Sequence, residues 1–358
     1  MLHLRYITII LALLFMTGCN ESTITHAEQR LTHQTGILLK DESRQRIIDV
    51  QLWHPSQLSQ TSSMPFLIFA HGLGGLPKEG TWLANYMAER GYVVAALKFP
   101  FTNRDDLDAI DRNDLPNQPG DVSLVIDAAL GQVAGIDKAV VDAINPERIA
   151  LAGHSFGGLT TYLTVYDRHL SDSRVKAAVL MAAAGGDFLT PDFYANSPVP
   201  MLLLHGTHDL LVDYRSTSVN AFAQSTAPKI LVEYSGGTHL GYSGRSSYFF
   251  NPDNLPCWLA GALFEKDEGE SFYDILKQSD PDRGIGPYSA PMPCTFAVPD
   301  SDFMAIERQR FLSEQIIAMF LDSLLTAPEA ITQNKTRLKD LLAQFDAEQQ
   351  DIEILNDL

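Results

Sequence analysis

Apolar positions in this chain gather into short blocks whose spacing alternates between two periods. Residues 66–69 form a continuous apolar run, Phe66-Leu67-Ile68-Phe69, as expected of a strand covered on both faces. Residues 82–89 have helical spacing and stop near Gly91, a residue that ends helices readily. The block 92–97 then reads as another buried strand, and 47–53 adds a partly alternating strand ahead of both. The alternation repeats as helix over 122–133, strand over 148–152, helix over 159–166, and strands over 177–181, 200–204 and 229–234. Strands separated by helical segments need crossovers, and crossovers give parallel pairing with helices on both faces. The pattern predicts an α/β protein with a doubly wound, mostly parallel sheet.

Periodicity fails over about 241–302, where Pro, Gly, Ser and aromatic residues accumulate, among them Tyr248-Phe249-Phe250 and Pro287-Tyr288. This reads as an irregular insertion. Phe311, Leu312, Ile316, Met319 and Phe320 then mark a helix able to cover the sheet, so that the domain spans 34–325. Residues 326–358 follow as an acidic tail, with Leu338, Leu341, Leu342, Phe345, Ile352 and Leu355 near helical spacing. At the other end, residues 1–18 carry Arg5 and an apolar run from Tyr6 to Met16, the layout of a secretory signal. That run is too short to span a bilayer comfortably. Residues 19–33 are polar and aperiodic, and read as a tether.

Charge narrows the partners. Asp and Glu total 44 against 26 Lys and Arg, a net charge of -18, so a polyphosphate would be repelled and nucleic acid is excluded as a partner. Met16-Thr17-Gly18-Cys19 resembles the lipobox of bacterial lipoproteins, in which the cysteine carries the lipid anchor. Asn20 resembles the following residue of lipoproteins sorted to the outer membrane. The expectation is an exported protein, lipid-anchored through Cys19 to the cell envelope. In that oxidising compartment Cys257 and Cys294 are expected to form a disulfide, contributing about 3 to 4 kcal/mol through loop closure.

The candidate chemistry lies in Gly153-His154-Ser155-Phe156-Gly157-Gly158, which follows the strand at 148–152 and precedes a helix. A nucleophile elbow has this context: small residues allow a tight turn that lifts the serine hydroxyl above the sheet. A serine hydroxyl needs a base to take its proton and an acid to orient that base, in the chain order Ser, acid, His. Asp209 follows the strand at 200–204 and His239 follows the strand at 229–234, so both are expected at the edge that carries Ser155. The N–H groups of Phe156 and of Leu73, in Ala70-His71-Gly72-Leu73-Gly74-Gly75, are the candidate oxyanion donors. Of the other histidines, His71, His154 and His205 suit turn and hydrogen-bonding roles. His54 and His169 suit the surface, and His208 is the competing base beside Asp209.

These motifs resemble those of bacterial predicted dienelactone hydrolases and, more distantly, platelet-activating-factor acetylhydrolases and cutinase-like polyesterases. The resemblance rests on Leu52-Trp53-His54-Pro55, His71-Gly72-Leu73-Gly74, Asp121-Val122 with Asp127-Ala128, Gly153 to Gly158, and Gly237-Thr238-His239-Leu240. It implies an α/β-hydrolase fold with the irregular insertion after the catalytic His. It further implies a serine carboxylic-ester hydrolase working through an acyl-enzyme, with no cofactor or metal. Its substrate is expected to be a small-molecule or lipid ester, short-chain or polyester-type, met at the membrane that holds the anchor. True dienelactone hydrolases carry a cysteine where Ser155 stands, so their substrate is not implied. The acetylhydrolases place the acid after the strand at 177–181, but that strand runs here into Leu180-Met181-Ala182, which favours Asp209 over Asp187. The alternative is a non-catalytic hydrolase-fold envelope lipoprotein that acts as a binding or assembly factor.

Overall fold

The computed structural model describes residues 31–58, 63–243, 252–254, 257, 280–287, 293–295, 303–325 and 331–358. The expected signal segment, Cys19, most of the expected tether and much of the expected 241–302 insertion lie outside the described residues. Nine strands form one sheet: β1 Leu31–Asp41, β2 Arg46–Pro55, β3 Met64–Ala70, β4 Val93–Lys98, β5 Ile144–His154, β6 Val175–Met181, β7 Met201–Gly206, β8 Lys229–Tyr234 and β9 Ile352–Asp357. Their order is β1-β2-β4-β3-β5-β6-β7-β8-β9. The six strands from β4 to β8 in that order pair in parallel, while β1, β2 and β9 are antiparallel. The doubly wound, mostly parallel sheet is thus present.

Strand residues alternate between two cores. Phe66, Ile68, Val93, Ala95, Ile149 and Leu151 join the core beneath α2 (Gln118–Ala129), α3 (Lys138–Ala143), α4 (Phe156–Tyr166), α5 (Pro191–Tyr194) and α6 (Asn220–Gln224). Leu67, Phe69, Val94, Ala96, Ala150 and Ala152 join the opposite core beneath α1 (Thr81–Glu89), α7 (Ile306–Leu324) and α8 (Ile331–Glu348). Burial on both sides explains why these strands read as unbroken apolar blocks.

Several expectations shift. Helix α2 begins at Gln118, four residues ahead of the expected 122–133, because Pro119 suits a first helical turn; Gly131, with φ of 73°, closes the end early. Strand β1 takes residues 31–33 out of the expected tether. Leu31, Thr32 and His33 pair with Pro55, His54 and Trp53, and the His33 ring stacks on Trp53 at 4.2 Å. At the other terminus, Ile352 and Leu355 are not helical. The helix ends at Glu348 and the chain turns through Asp351, whose carbonyl accepts from Ser235 N–H at 2.9 Å. It then adds β9 to the free edge of β8. His54 is buried in β2, not on the surface, and donates from Nδ1 to the Pro55 carbonyl at 2.7 Å. Asp121 serves the scaffold: it is fully buried and ion-paired to Arg46 at 2.5 Å and Arg44 at 2.9 Å, bracing α2 against the β1–β2 hairpin.

Candidate active site

The sheet order reverses between β3 and β5, and loops leaving adjacent strands at such a switch point face each other. Ala70 and Gly153 are register partners there, so the 71–75 turn and the Ser155 turn begin side by side. A Cβ placed on Gly72 would lie 3.1 Å from Ser155 Cβ. The 72–75 turn is closed by Gly75 N–H donating to the Gly72 carbonyl at 2.8 Å, a bond that does not use Leu73 N–H. His71 supports the turn. Its Nδ1–H donates to the Gly72 carbonyl at 2.7 Å and its Nε2 accepts from Phe99 N–H at 3.1 Å, while burial lowers its pKa to about 4 and keeps the ring neutral.

Ser155 occupies a backbone conformation that L residues avoid, φ 56° and ψ -117°. Neighbouring glycines make the bend possible: a Cβ on Gly153 would stand 2.1 Å from the Gly157 carbonyl oxygen, and one on Gly157 2.2 Å from that of Ala70. Backbone bonds then hold it, with Ser155 N–H donating to Met181 at 2.9 Å and its carbonyl accepting from Gly158 at 2.9 Å and Ala184 at 3.2 Å. From residue 149 to 167 every residue is buried except Ser155. The strain lifts one side chain towards solvent at the N-terminus of α4, where helix N–H groups favour negative charge and Phe156 is the first residue.

Asp209 and His239 meet. His239 Nδ1–H donates to Asp209 Oδ2 at 2.7 Å, and both side chains are buried. Asp209 Oδ2 also accepts from His205 Nε2–H at 3.0 Å, and Oδ1 accepts from Leu211 and Val212 N–H, each at 2.8 Å. Burial opposes the Asp209 charge, but His239 and His205 outweigh it and hold the carboxyl well below the usual carboxylate range. Burial likewise pulls His239 down, yet the Asp209 charge and hydrogen bond, with Asp253, raise its pKa above the ordinary histidine value. His154, directly before Ser155, packs its ring 4.7 Å from that of His239 and donates from Nε2 to the His239 carbonyl at 3.0 Å. His154 is neutral, its pKa lowered to about 3 by burial and by His239. His208, the competing base, pairs its Nδ1 with Thr207 Oγ1 at 3.1 Å.

Two groups that hold the His239 loop escape sequence reasoning. Gln309 on α7, fully buried, accepts from Thr238 N–H and donates to the Thr238 carbonyl, both at 3.0 Å. Asp253 accepts from the N–H groups of His239 at 2.8 Å and Leu240 at 2.9 Å. Burial, then the Asp209 charge, push Asp253 up to about 6 from an ordinary 3.8. The folded protein thus holds this proton more tightly than the unfolded chain, and Asp253 withdraws stability as pH rises from about 4 through about 6. The expected disulfide is present, joining Cys257 and Cys294 with their Cα atoms 5.4 Å apart.

A mostly parallel sheet with helices on both faces and a serine elbow between β5 and α4 defines the α/β-hydrolase fold. Among solved structures, a ferulic acid esterase from Streptomyces cinnamoneus shares this fold. It matches with a TM-score of 0.51 over 85% of this chain and 94% of that one, at 18% identity. Among curated proteins, the uncharacterized protein YfhR of Salmonella typhi is 27% identical over 150 aligned positions, which cover 34% of this chain and 51% of that protein. The chain therefore spans about half the length of that relative. No protein-family model matches.

Proposed function

We propose that the protein is a serine carboxylic-ester hydrolase in which Ser155, His239 and Asp209 act as a triad. The observation that carries this reading is a strained, partly exposed Ser155 whose chain neighbour His154 packs 4.7 Å from the His239 ring, together with a buried His239–Asp209 pair whose Nδ1 is committed to the carboxylate. With Nδ1 carrying the proton, Nε2 is the nitrogen available as base. Ser155 Oγ attacks the ester carbonyl as His239 Nε2 takes its proton, and Asp209 stabilises the resulting imidazolium. Leu73 and Phe156 N–H groups receive the developing oxyanion. Collapse breaks the ester C–O bond, and His239 returns the proton to the leaving alcohol. Water, activated by the same imidazole, then releases the acid from the acyl-enzyme. The neighbouring ferulic acid esterase fold agrees with an ester substrate. The lipobox-like Met16-Thr17-Gly18-Cys19 supports display of the enzyme at the cell envelope, with a lipid, short-chain or polyester-type ester as substrate.

A fluorophosphonate probe is expected to label Ser155 stoichiometrically in folded protein. Absence of label in folded protein overturns the reading and leaves a binding role. The pH dependence carries a sign. The base must be neutral, and the raised His239 pKa means that kcat/KM should climb with pH through a value above 6.5, the ordinary histidine value. A profile already flat at pH 6, measured on a p-nitrophenyl ester, would contradict this assignment.

A further inference from the structure

Asp253 is a buried carboxylate at the acid–base pair that the reaction above leaves unused. Its side chain reaches both loops of the acid–base pair: Oδ2 accepts from His239 N–H at 2.8 Å and from Leu210 N–H at 3.2 Å, and Oδ1 accepts from Leu240 N–H at 2.9 Å. Leu210 directly follows Asp209. A second tie fixes the same residue, because the Asp253 carbonyl accepts from Cys257 N–H at 3.1 Å, Cys257 is bridged to Cys294, and Cys294 N–H donates to the Leu210 carbonyl at 2.7 Å. Leu210 is therefore gripped through both its N–H and its C=O by one cross-linked segment. A carboxylate with no solvent exposure is a costly way to make such ties, more so with the Asp209 charge nearby.

Resting on the triad reading, we propose that Asp253 is a positioning residue: it ties the loop of the acid to the loop of the base and so sets how Asp209 meets His239. The same negative charge favours protonated His239. Among the described residues, the groups facing this imidazole are Asp209, Asp253 and His154, with His205 on the far side of Asp209. Asp209 is bound to the ring directly, and His154 is neutral, so Asp253 is the added anion.

Asp253→Asn tests this. It preserves size, but either orientation points its NH2 at one or more of three backbone N–H groups. In variant protein that melts cooperatively with its disulfide intact, kcat on a p-nitrophenyl ester should fall by ~10- to 100-fold with little change in KM. The acid limb of kcat/KM should move to lower pH, a displacement that a merely structural tie would not produce. Wild-type kcat with an unmoved limb overturns the inference alone. Ester hydrolysis that survives Ser155→Ala overturns the triad reading, and the inference with it. Should Asp253→Asn fail to fold, hydrogen exchange on the wild-type protein decides: the Leu210, His239 and Leu240 amides should exchange as slowly as strand amides. Exchange at exposed-loop rates overturns the proposal.

Discussion

Ser155→Ala is expected to lower kcat for a p-nitrophenyl ester by roughly 10⁵- to 10⁶-fold, leaving only what binding and the oxyanion donors provide. Such a loss follows if, as proposed, the hydroxyl is the attacking group, since every other residue between 149 and 167 is buried. Thermal stability should barely change, since alanine inherits the same backbone penalty. A companion variant separates chemistry from strain. At φ 56° and ψ -117° glycine is at ease, so Ser155→Gly should be equally inactive yet more stable than Ser155→Ala by about 1 kcal/mol. Calorimetry of the two variants checks this. A Ser155→Gly variant that melts below Ser155→Ala would mean the elbow stores no strain.

Physical reasons decide which parts of this protein are legible in its sequence. Central strands such as β3 and β5 are packed on both faces, so composition alone marks them, and the elbow is marked because Gly153 and Gly157 have no room for a Cβ. Edge strands lack that signature. β1 has largely partly buried or exposed positions, and β9 buries only Ile352, so both depend on a neighbouring edge that lies far along the chain. The meeting of Asp209 and His239 was legible because both follow apolar strands in a fixed order. Gln309 was not: it acts 71 residues from Thr238 through backbone bonds that impose no local pattern. Asp253 stands in an aperiodic segment, where a buried carboxylate looks like any loop aspartate.

Asp209→Asn should cost about 10³- to 10⁴-fold in kcat without unfolding the protein, and the reason lies in the count of donors around that carboxylate. Four hydrogens point at its two oxygens, from Leu211 and Val212 on one side and from His205 and His239 on the other. An asparagine offers only one acceptor oxygen, so its NH2 must face one pair. Facing Leu211 and Val212 it would oppose two backbone N–H groups that cannot change. Facing the histidines it meets His239, which can exchange tautomers, and His205, whose Nε2–H still has the Val212 carbonyl at 3.0 Å, so this orientation wins. His239 then accepts at Nδ1 and carries its proton on Nε2, the nitrogen that must take the proton from Ser155. Because the loss comes from the tautomer, ¹⁵N spectra of the imidazole should show Nε2–H in the variant and Nδ1–H in the wild-type protein. A variant that keeps Nδ1–H and wild-type kcat would remove Asp209 from the role of acid. Asp209→Ala leaves three donors without an acceptor in a buried site, at about 1 to 3 kcal/mol each, while His205 Nε2–H keeps the Val212 carbonyl at 3.0 Å, and the variant should melt well below Asp209→Asn.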